Sequence, residues 1–401
     1  EAFPDNVYFF DEGDRFTVTS ERDGYRHLYM HKISDPNYEE QITKGKWDVT
    51  NFYGYSAENE RLYFAAAKES PLHRKIYSVK LNGRKLKKLT EQTGTNRAAF
   101  SNDFSYFINY FSSAHEPPRV SLHTGEGKQV RVLKNNKSLE KKVKEYGGVN
   151  KEFFTFKTSE GIELNAFMVK PPDFDQNQAY PVIITQYSGP ASQTVTDRWN
   201  FGWDNLLSQE GFIVVGVDPR GTGARGEDFR KQTYLELGKY ETLDLIETAK
   251  YLQTLKYVKP DKIGIWGWSY GGFETLLCLT KGADTYAAGI AVAPVSNWRY
   301  YDTIYTERFM RTPQENSEGY DDNSPINFVK NLNDPLLIVH GTADDNLHLQ
   351  NTKEFEEALV QAGKQFRMHE YTNRNHGIYG GNTRHHLYTM MLDFWKKNLL
   401  Q

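Results

Sequence analysis

The sequence predicts two parts of different class: an N-terminal antiparallel β part, then a doubly wound α/β domain on a mostly parallel sheet. Three observations predict this. The chain has 401 residues, more than one ordinary core accommodates. Up to about residue 145 it reads as short strands rich in β-branched and aromatic residues, separated by polar turns. From about residue 150, continuous apolar runs alternate with helical patterns, as strands covered on both faces by helices do.

In the first part, Asn6 to Phe10, Arg15 to Thr19 and Arg61 to Phe64 are strand-like, and Asp11-Glu12-Gly13-Asp14 and Asn82-Gly83 are turns. A weak repeat runs through it. Arg26-His27-Leu28-Tyr29 returns as Arg74-Lys75-Ile76-Tyr77 and, more loosely, as Arg119-Val120-Ser121-Leu122. A second marker follows each copy: Ile42-Thr43, Leu89-Thr90, Val132-Leu133. Spacings in the forties match β-propeller blades. A propeller needs roughly four to eight blades. Two to three fit into residues 1–145, so the blades that close the ring are expected to precede this chain. A β-sandwich is the alternative reading of the same strands.

In the second part, residues 146–401, strands are expected at Pro181 to Thr185, Phe212 to Val217, Lys262 to Trp266, Ala288 to Val292, Leu336 to Val339 and Phe366 to Tyr371. Helices are expected at Leu243 to Leu255, Gly272 to Thr280, Thr352 to Ala362 and Arg384 to Leu399.

The totals exclude several functions. A net charge of -3 gives no sign of a nucleic-acid or membrane partner. The longest apolar runs fall far short of the about 20 residues of a membrane span. A single cysteine, Cys278, rules out an intramolecular disulfide and a zinc–cysteine cluster. No metal or other cofactor is expected. The first residue is Glu1 and no signal peptide follows it, so the chain reads as processed or cut from something longer. A periplasmic or secreted bacterial location is favoured, with the cytoplasm as alternative.

Gly267-Trp268-Ser269-Tyr270-Gly271 has the G-x-S-x-G pattern of a nucleophile elbow. The serine would sit on a tight strand-to-helix turn, and a side chain on either glycine would collide with its surroundings. The pentapeptide alone is weak, but an apolar strand precedes it and a helical pattern follows. Such a site needs a carboxylate and a histidine, in that chain order. Asp344 follows the strand Leu336 to Val339, and His376 lies in a loop after the strand ending at Tyr371. Asp345 is the alternative orienter, and either aspartate could instead cap a helix. His340 and His369 lie within strands and read as packed; His385 and His386 read as helix surface. Ser269 would be the nucleophile, His376 the base and Asp344 the group that fixes its tautomer. Gly221 to Gly226 fits G-x-G-x-x-G, but Asp218-Pro219-Arg220 separates it from its strand, so a structural loop is the better reading.

Taken together, Gly267 to Gly272, Val295-Ser296-Asn297-Trp298-Arg299-Tyr300-Tyr301-Asp302, Tyr305-Thr306-Glu307-Arg308 and His340 to Asn346 resemble the dipeptidyl peptidase IV group of the prolyl oligopeptidase family, in a bacterial-type member. The resemblance is strong over residues 150–401. It is looser before, where Gly24-Tyr25-Arg26-His27 and Thr43-Lys44-Gly45 echo the late propeller. It implies an incomplete β-propeller followed by an α/β-hydrolase domain, and a serine exopeptidase that releases N-terminal dipeptides after proline, or after alanine less well.

The resemblance also implies roles. The Tyr187 hydroxyl and the Tyr270 backbone N–H would hold the oxyanion; Val295, Trp298, Tyr301, Tyr305 and Leu347 would line a proline slot; Arg308 and Asn346 would bind the substrate carbonyl. Tyr300 to Tyr305 could equally be core packing, and Arg308 an ion-pair partner of Glu307 or Asp302. Ser188 stands where the family often has alanine, an exchange expected to matter little. The expected partners are peptides with penultimate proline and a second copy of the chain in a homodimer. The family's paired glutamates that grip the substrate amine have no match here; Glu39-Glu40 lies in a turn-like stretch. A prolyl tripeptidyl peptidase, a broader acyl-peptide hydrolase and an inert propeller-based binding protein are the competing readings.

Overall fold

The computed structural model describes residues 7–10, 13–148 and 151–401. Asn6, Asp11 and Glu12, which the sequence places in a first strand and turn, lie outside the described residues. The chain divides into two compact units. One comprises Glu1–Asn150, Thr196–Phe201 and Gly223–Arg230; the other comprises Lys151–Val195, Gly202–Thr222 and Lys231–Gln401.

Among the described residues, the first unit contains three antiparallel four-stranded sheets, each a simple meander. Their strands are Tyr8–Phe9, Arg15–Ser20, His27–Lys32 and Glu39–Gln41; Val49–Ser56, Arg61–Ala66, Lys75–Lys80 and Lys87–Lys88; and Thr95–Phe100, Tyr106–Ser112, Arg119–Thr124 and Gln129–Lys134. The middle sheet packs on both faces. Along Arg61–Ala66, Leu62, Phe64 and Ala66 join one core with Leu28 and Met30 of the first sheet. Tyr63 and Ala65 join another with Ala98 and Phe107 of the third. Alternation with period two sends successive side chains to opposite faces, which is why this strand is buried throughout.

The sequence repeat has a structural cause. Its first marker lies on the third strand of each sheet and its second marker at or beside the fourth. In the first two sheets the marker threonine accepts a backbone N–H from the third strand: Leu28 to Thr43 Oγ1, and Ile76 to Thr90 Oγ1, each 3.0 Å. The third copy has Leu133 in place of that threonine.

The second unit is built on an eight-stranded sheet: β1 (Glu152–Lys157), β2 (Glu163–Val169), β3 (Tyr180–Thr185), β4 (Ile213–Asp218), β5 (Val258–Trp268), β6 (Ala288–Val292), β7 (Leu336–Gly341) and β8 (Arg367–Tyr371). The spatial order is β1-β2-β4-β3-β5-β6-β7-β8. The pairs β1–β2 and β2–β4 are antiparallel and the rest parallel. The long helices are α1 (Lys239–Gln253), α2 (Tyr270–Lys281), α3 (Thr303–Met310), α4 (Gln350–Gln361) and α5 (Thr383–Trp395). After β3 the chain moves to one side of the sheet for β4, then to the other for β5. That reversal opens a crevice at the carboxyl ends of β3 and β5, where sheets of this type bind ligands. At Gly264 in β5 a Cβ would lie 2.6 Å from the Trp395 ring, so glycine lets the last helix settle on the sheet. No helix among the described residues is long and apolar enough to cross a membrane.

Arg220, just past the carboxyl end of β4, is clamped to Asp244 on α1. Its backbone N–H lies 2.8 Å and its Nη2 2.7 Å from the carboxylate oxygens, and the Asp244 side chain is wholly buried. Burial pushes the Asp244 carboxyl above its usual range, and the guanidinium opposes this. Replacing Arg220 by Met should therefore destabilise the protein by about 3–5 kcal/mol, since it strands a buried charge. Denaturant unfolding measures this; a loss below about 1 kcal/mol would show that the pair does not hold the loop.

Candidate active site

Ser269 ends β5 and caps α2 with φ 62 and ψ -117. This is the left-handed side of the map, costly for any residue with a Cβ. Two backbone bonds hold it there. Its N–H donates to Val292 O at the end of β6 (2.8 Å), and its carbonyl accepts from Phe273 N in the first turn of α2 (3.0 Å). The flanking glycines are needed for space. A Cβ on Gly267 would stand 2.4 Å from Gly271 O, and one on Gly271 would stand 2.6 Å from Gln186 O after β3. Three backbone segments thus pass one another where only glycine fits, and the half-buried Ser269 is lifted off the sheet.

Asp344 and His376 are 32 positions apart in sequence but meet, because the loops after β7 and β8 are laced together. Thr342 N donates to Tyr371 O and Ala343 N to Arg374 O, each 3.0 Å. A Cβ on Gly341 would lie 2.2 Å from Arg374 O. His376 Nδ1 is 2.7 Å from Asp344 Oδ2. The Asp344 side chain is wholly buried, while His376 retains 24% exposure. Burial by itself raises the Asp344 carboxyl; hydrogen bonds from His340, His376 and the Leu347 N–H overcome this and hold it well below the usual carboxylate range. Asp344 Oδ1 accepts the N–H groups of Asn346 (3.0 Å) and Leu347 (2.8 Å). An acceptor so surrounded stays ionised. Asp345, the alternative orienter, points its exposed side of the loop to solvent.

Tyr187 follows β3 and is 42% exposed. Partial burial raises its phenol, so the hydroxyl keeps its proton and remains a donor. The Tyr270 ring is buried beneath the elbow and its hydroxyl donates to Glu241 Oε1 on α1 (2.6 Å).

The aromatic segment forms one cluster. Val295, Trp298 and Leu347 are buried with Tyr270 and Phe273, and Tyr301 and Tyr305 pack against them partly exposed. The Tyr305 ring stacks on Trp298 (centroids 5.9 Å, planes 22° apart) and meets Tyr301 edge-on (5.4 Å, 84°). Asp302 starts α3 by accepting Tyr305 N at 2.8 Å. The exposed Asn346 accepts the Tyr301 hydroxyl at 3.1 Å. Arg308 lies on α3 with its side chain exposed.

Several contributors escape sequence reasoning. The Trp268 indole N–H, one residue before Ser269, donates to His376 O (2.9 Å) and ties the histidine loop to the elbow. His340, wholly buried in β7, sits with Nε2 3.2 Å from Asp344 Oδ2 and 2.9 Å from Leu347 O. Gln186 reaches from the end of β3 to Gly271 O on α2 (2.7 Å). Their roles rest on hydrogen bonds to partners that leave no local pattern in the sequence. The G-x-G-x-x-G stretch leads only to the four-residue helix Glu227–Arg230, and Gly226 N donates to Asp48 Oδ2 in the first unit.

A family model described as prolyl oligopeptidase family matches residues 199–401, and one for the dipeptidyl peptidase IV N-terminal region matches residues 2–118. The chain is 39% identical over 394 residues to a Trichophyton verrucosum protein named "Probable dipeptidyl-aminopeptidase B", and 38% identical over 390 residues to a protein of the same name from Arthroderma gypseum. These matches cover 95% and 94% of this chain but 43% and 42% of the relatives, so the chain spans less than half their length. The crystal structure of Porphyromonas gingivalis dipeptidyl peptidase 4 superimposes with a TM-score of 0.95 at 47% identity, covering 98% of this chain and 56% of that one. With antiparallel sheets of an incomplete propeller followed in sequence by an α/β-hydrolase unit, the chain belongs to the dipeptidyl peptidase IV group of the prolyl oligopeptidase family.

Proposed function

We propose that the protein is a serine exopeptidase that releases N-terminal dipeptides from peptides with proline, or alanine, in the penultimate position. The observation that carries this reading is the buried Asp344 bonded to His376, whose loop is tied to the residue before Ser269. Asp344 accepts a hydrogen bond from His376 Nδ1–H, which keeps the proton on that nitrogen and leaves Nε2 as the acceptor for the Ser269 hydroxyl proton. Ser269 Oγ attacks the carbonyl after proline. The Tyr270 N–H and the Tyr187 hydroxyl receive the charge that develops on the carbonyl oxygen. His376 hands its proton to the leaving amine; water then cleaves the acyl-enzyme by the same route in reverse order of roles.

The pyrrolidine ring suits an apolar aromatic slot with no need of a donor, and the proposal assigns its walls to Tyr301, Tyr305, Trp298, Val295 and Leu347, which pack in one cluster. The proposal assigns Asn346, bonded to Tyr301, and the exposed Arg308 as partners for the substrate carbonyl. The proposal includes residues 1–145 as the last blades of a propeller and 146–401 as the catalytic domain. Supporting this, the third sheet leaves Tyr106 and Tyr110 48% and 47% exposed, a face suited to a further blade. The proposal extends to a homodimer using the last helix and to a periplasmic or secreted location.

Replacing Ser269 by Ala should abolish turnover with an unchanged melting temperature; retained activity would remove the triad. Tyr187→Phe should lower kcat by about 10²–10³ with little change in KM; unchanged kinetics would remove Tyr187 from the oxyanion site. Substrate class is tested on the longest natural form of the protein with free Gly-Pro, Ala-Ala-Pro and N-acetyl-Gly-Pro reporters. Release from free Gly-Pro alone is expected. Preference for Ala-Ala-Pro would make it a tripeptidyl enzyme, and cleavage of the blocked reporter an acyl-peptide hydrolase.

A further inference from the structure

The turn that carries Tyr187 is fixed by two polar side chains with no assigned role. Gln186 and Ser188 flank Tyr187, and both are buried, at 5% and 1% exposure, while Tyr187 between them points outward. Ser188 Oγ donates to Gln186 Oε1 (2.9 Å). Gln186 Nε2 donates to Gly271 O in the first turn of α2 (2.7 Å), a carbonyl that also accepts Thr275 Oγ1 (2.9 Å). The amide is thereby held with its oxygen toward Ser188 and its nitrogen toward the helix. Ser188 has φ 65, a strained conformation that the surroundings must maintain. The Tyr187 ring has little freedom once the turn is set. It lies against Gly189, where a Cβ would be 2.7 Å from the ring, and beside the Tyr270 ring at 6.1 Å.

Contrary to the expectation from sequence that alanine at 188 would matter little, we infer that in this chain Gln186 and Ser188 are positioning residues that hold the Tyr187 hydroxyl in register with the Tyr270 N–H, by bolting the turn after β3 to the first turn of the nucleophile helix. The bolt matters because the two oxyanion donors come from different elements. Tyr270 belongs to α2 and Tyr187 to the loop after β3, and a donor must sit within a few tenths of an ångström of its place to serve the transition state. An alanine at position 188 would leave Gln186 Oε1 a buried acceptor without its donor. The amide would then turn to find another, releasing Gly271. This inference rests on Tyr187 being an oxyanion donor.

The test is a double-mutant cycle on the longest natural form of the protein, with kcat and KM for the Gly-Pro reporter and the melting temperature of each variant. Ser188→Ala should lower kcat about tenfold at unchanged KM. In the Tyr187→Phe background the same substitution should change kcat no further, since the group it positions is gone. A merely structural role would instead multiply with Tyr187→Phe, and that result, or a wild-type kcat for Ser188→Ala, overturns the inference. Gln186→Met, which keeps the side-chain volume and removes the amide, should behave as Ser188→Ala does; it carries the test if Ser188→Ala does not fold. If Tyr187→Phe alone keeps wild-type rates, the oxyanion reading falls first and the positioning inference falls with it.

Discussion

The close passage of three backbone segments at Ser269 is the constraint on which the rest of the site depends. β5 must end, α2 must begin and the turn after β3 must cross, all within van der Waals distance. Only glycine at 267 and 271 permits this. The consequence is chemical. Ser269 is held in a strained conformation at the crevice, with the Tyr270 N–H beside it at the start of a helix whose dipole favours negative charge. The surrounding sheet is buried and parallel, so the strain is opposed by a rigid frame.

Around that point the side chains act as cross-links between strand ends. Trp268 joins the elbow to the His376 loop, Asp344 joins that loop to β7, and Gln186 joins β3 to α2. Each link is one hydrogen bond, worth little in water but more in a site shielded from solvent. Asp344 is the clearest case. It is wholly buried, yet two histidines and two backbone N–H groups surround it, so its charge is stabilised where an unpaired carboxylate would be neutralised. The Glu241 and Glu274 carboxyls beneath the elbow illustrate the opposite. Burial pushes both upward, and the hydroxyls of Tyr270 and Thr242 are their principal partners.

Much of this was legible in the sequence. The change from short aromatic and β-branched strands with polar turns to continuous apolar runs alternating with helices marks the change from antiparallel sheets to a mostly parallel, covered sheet, and the expected strands fall on β3 to β8. The repeat Arg-x-Leu/Ile-Tyr followed by Ile/Leu-Thr was visible because a threonine–backbone bond recurs in two sheets. Boundaries were less legible. α1 begins at Lys239, four residues before the apolar periodicity, because Gly238 starts it and Glu241 bonds back to the Gly238 N–H. A glycine at that position carries no side-chain signal. The positions of Ser269, Asp344 and His376 could be read from strand ends, whereas Trp268, His340 and Gln186 could not. Their importance arises from partners more than 80 residues away, or from a buried contact within one strand-loop unit, and neither leaves a local pattern.

The central claim is that Ser269 is the nucleophile of a proline-directed site. It is tested most directly by incubating the protein with a Gly-Pro diaryl phosphonate, which phosphonylates an activated serine, and mapping the adduct by mass spectrometry. The account predicts one adduct, on Ser269, formed in step with loss of activity and blocked by excess Gly-Pro peptide. An adduct on another residue, or complete inactivation with Ser269 unmodified, would contradict it.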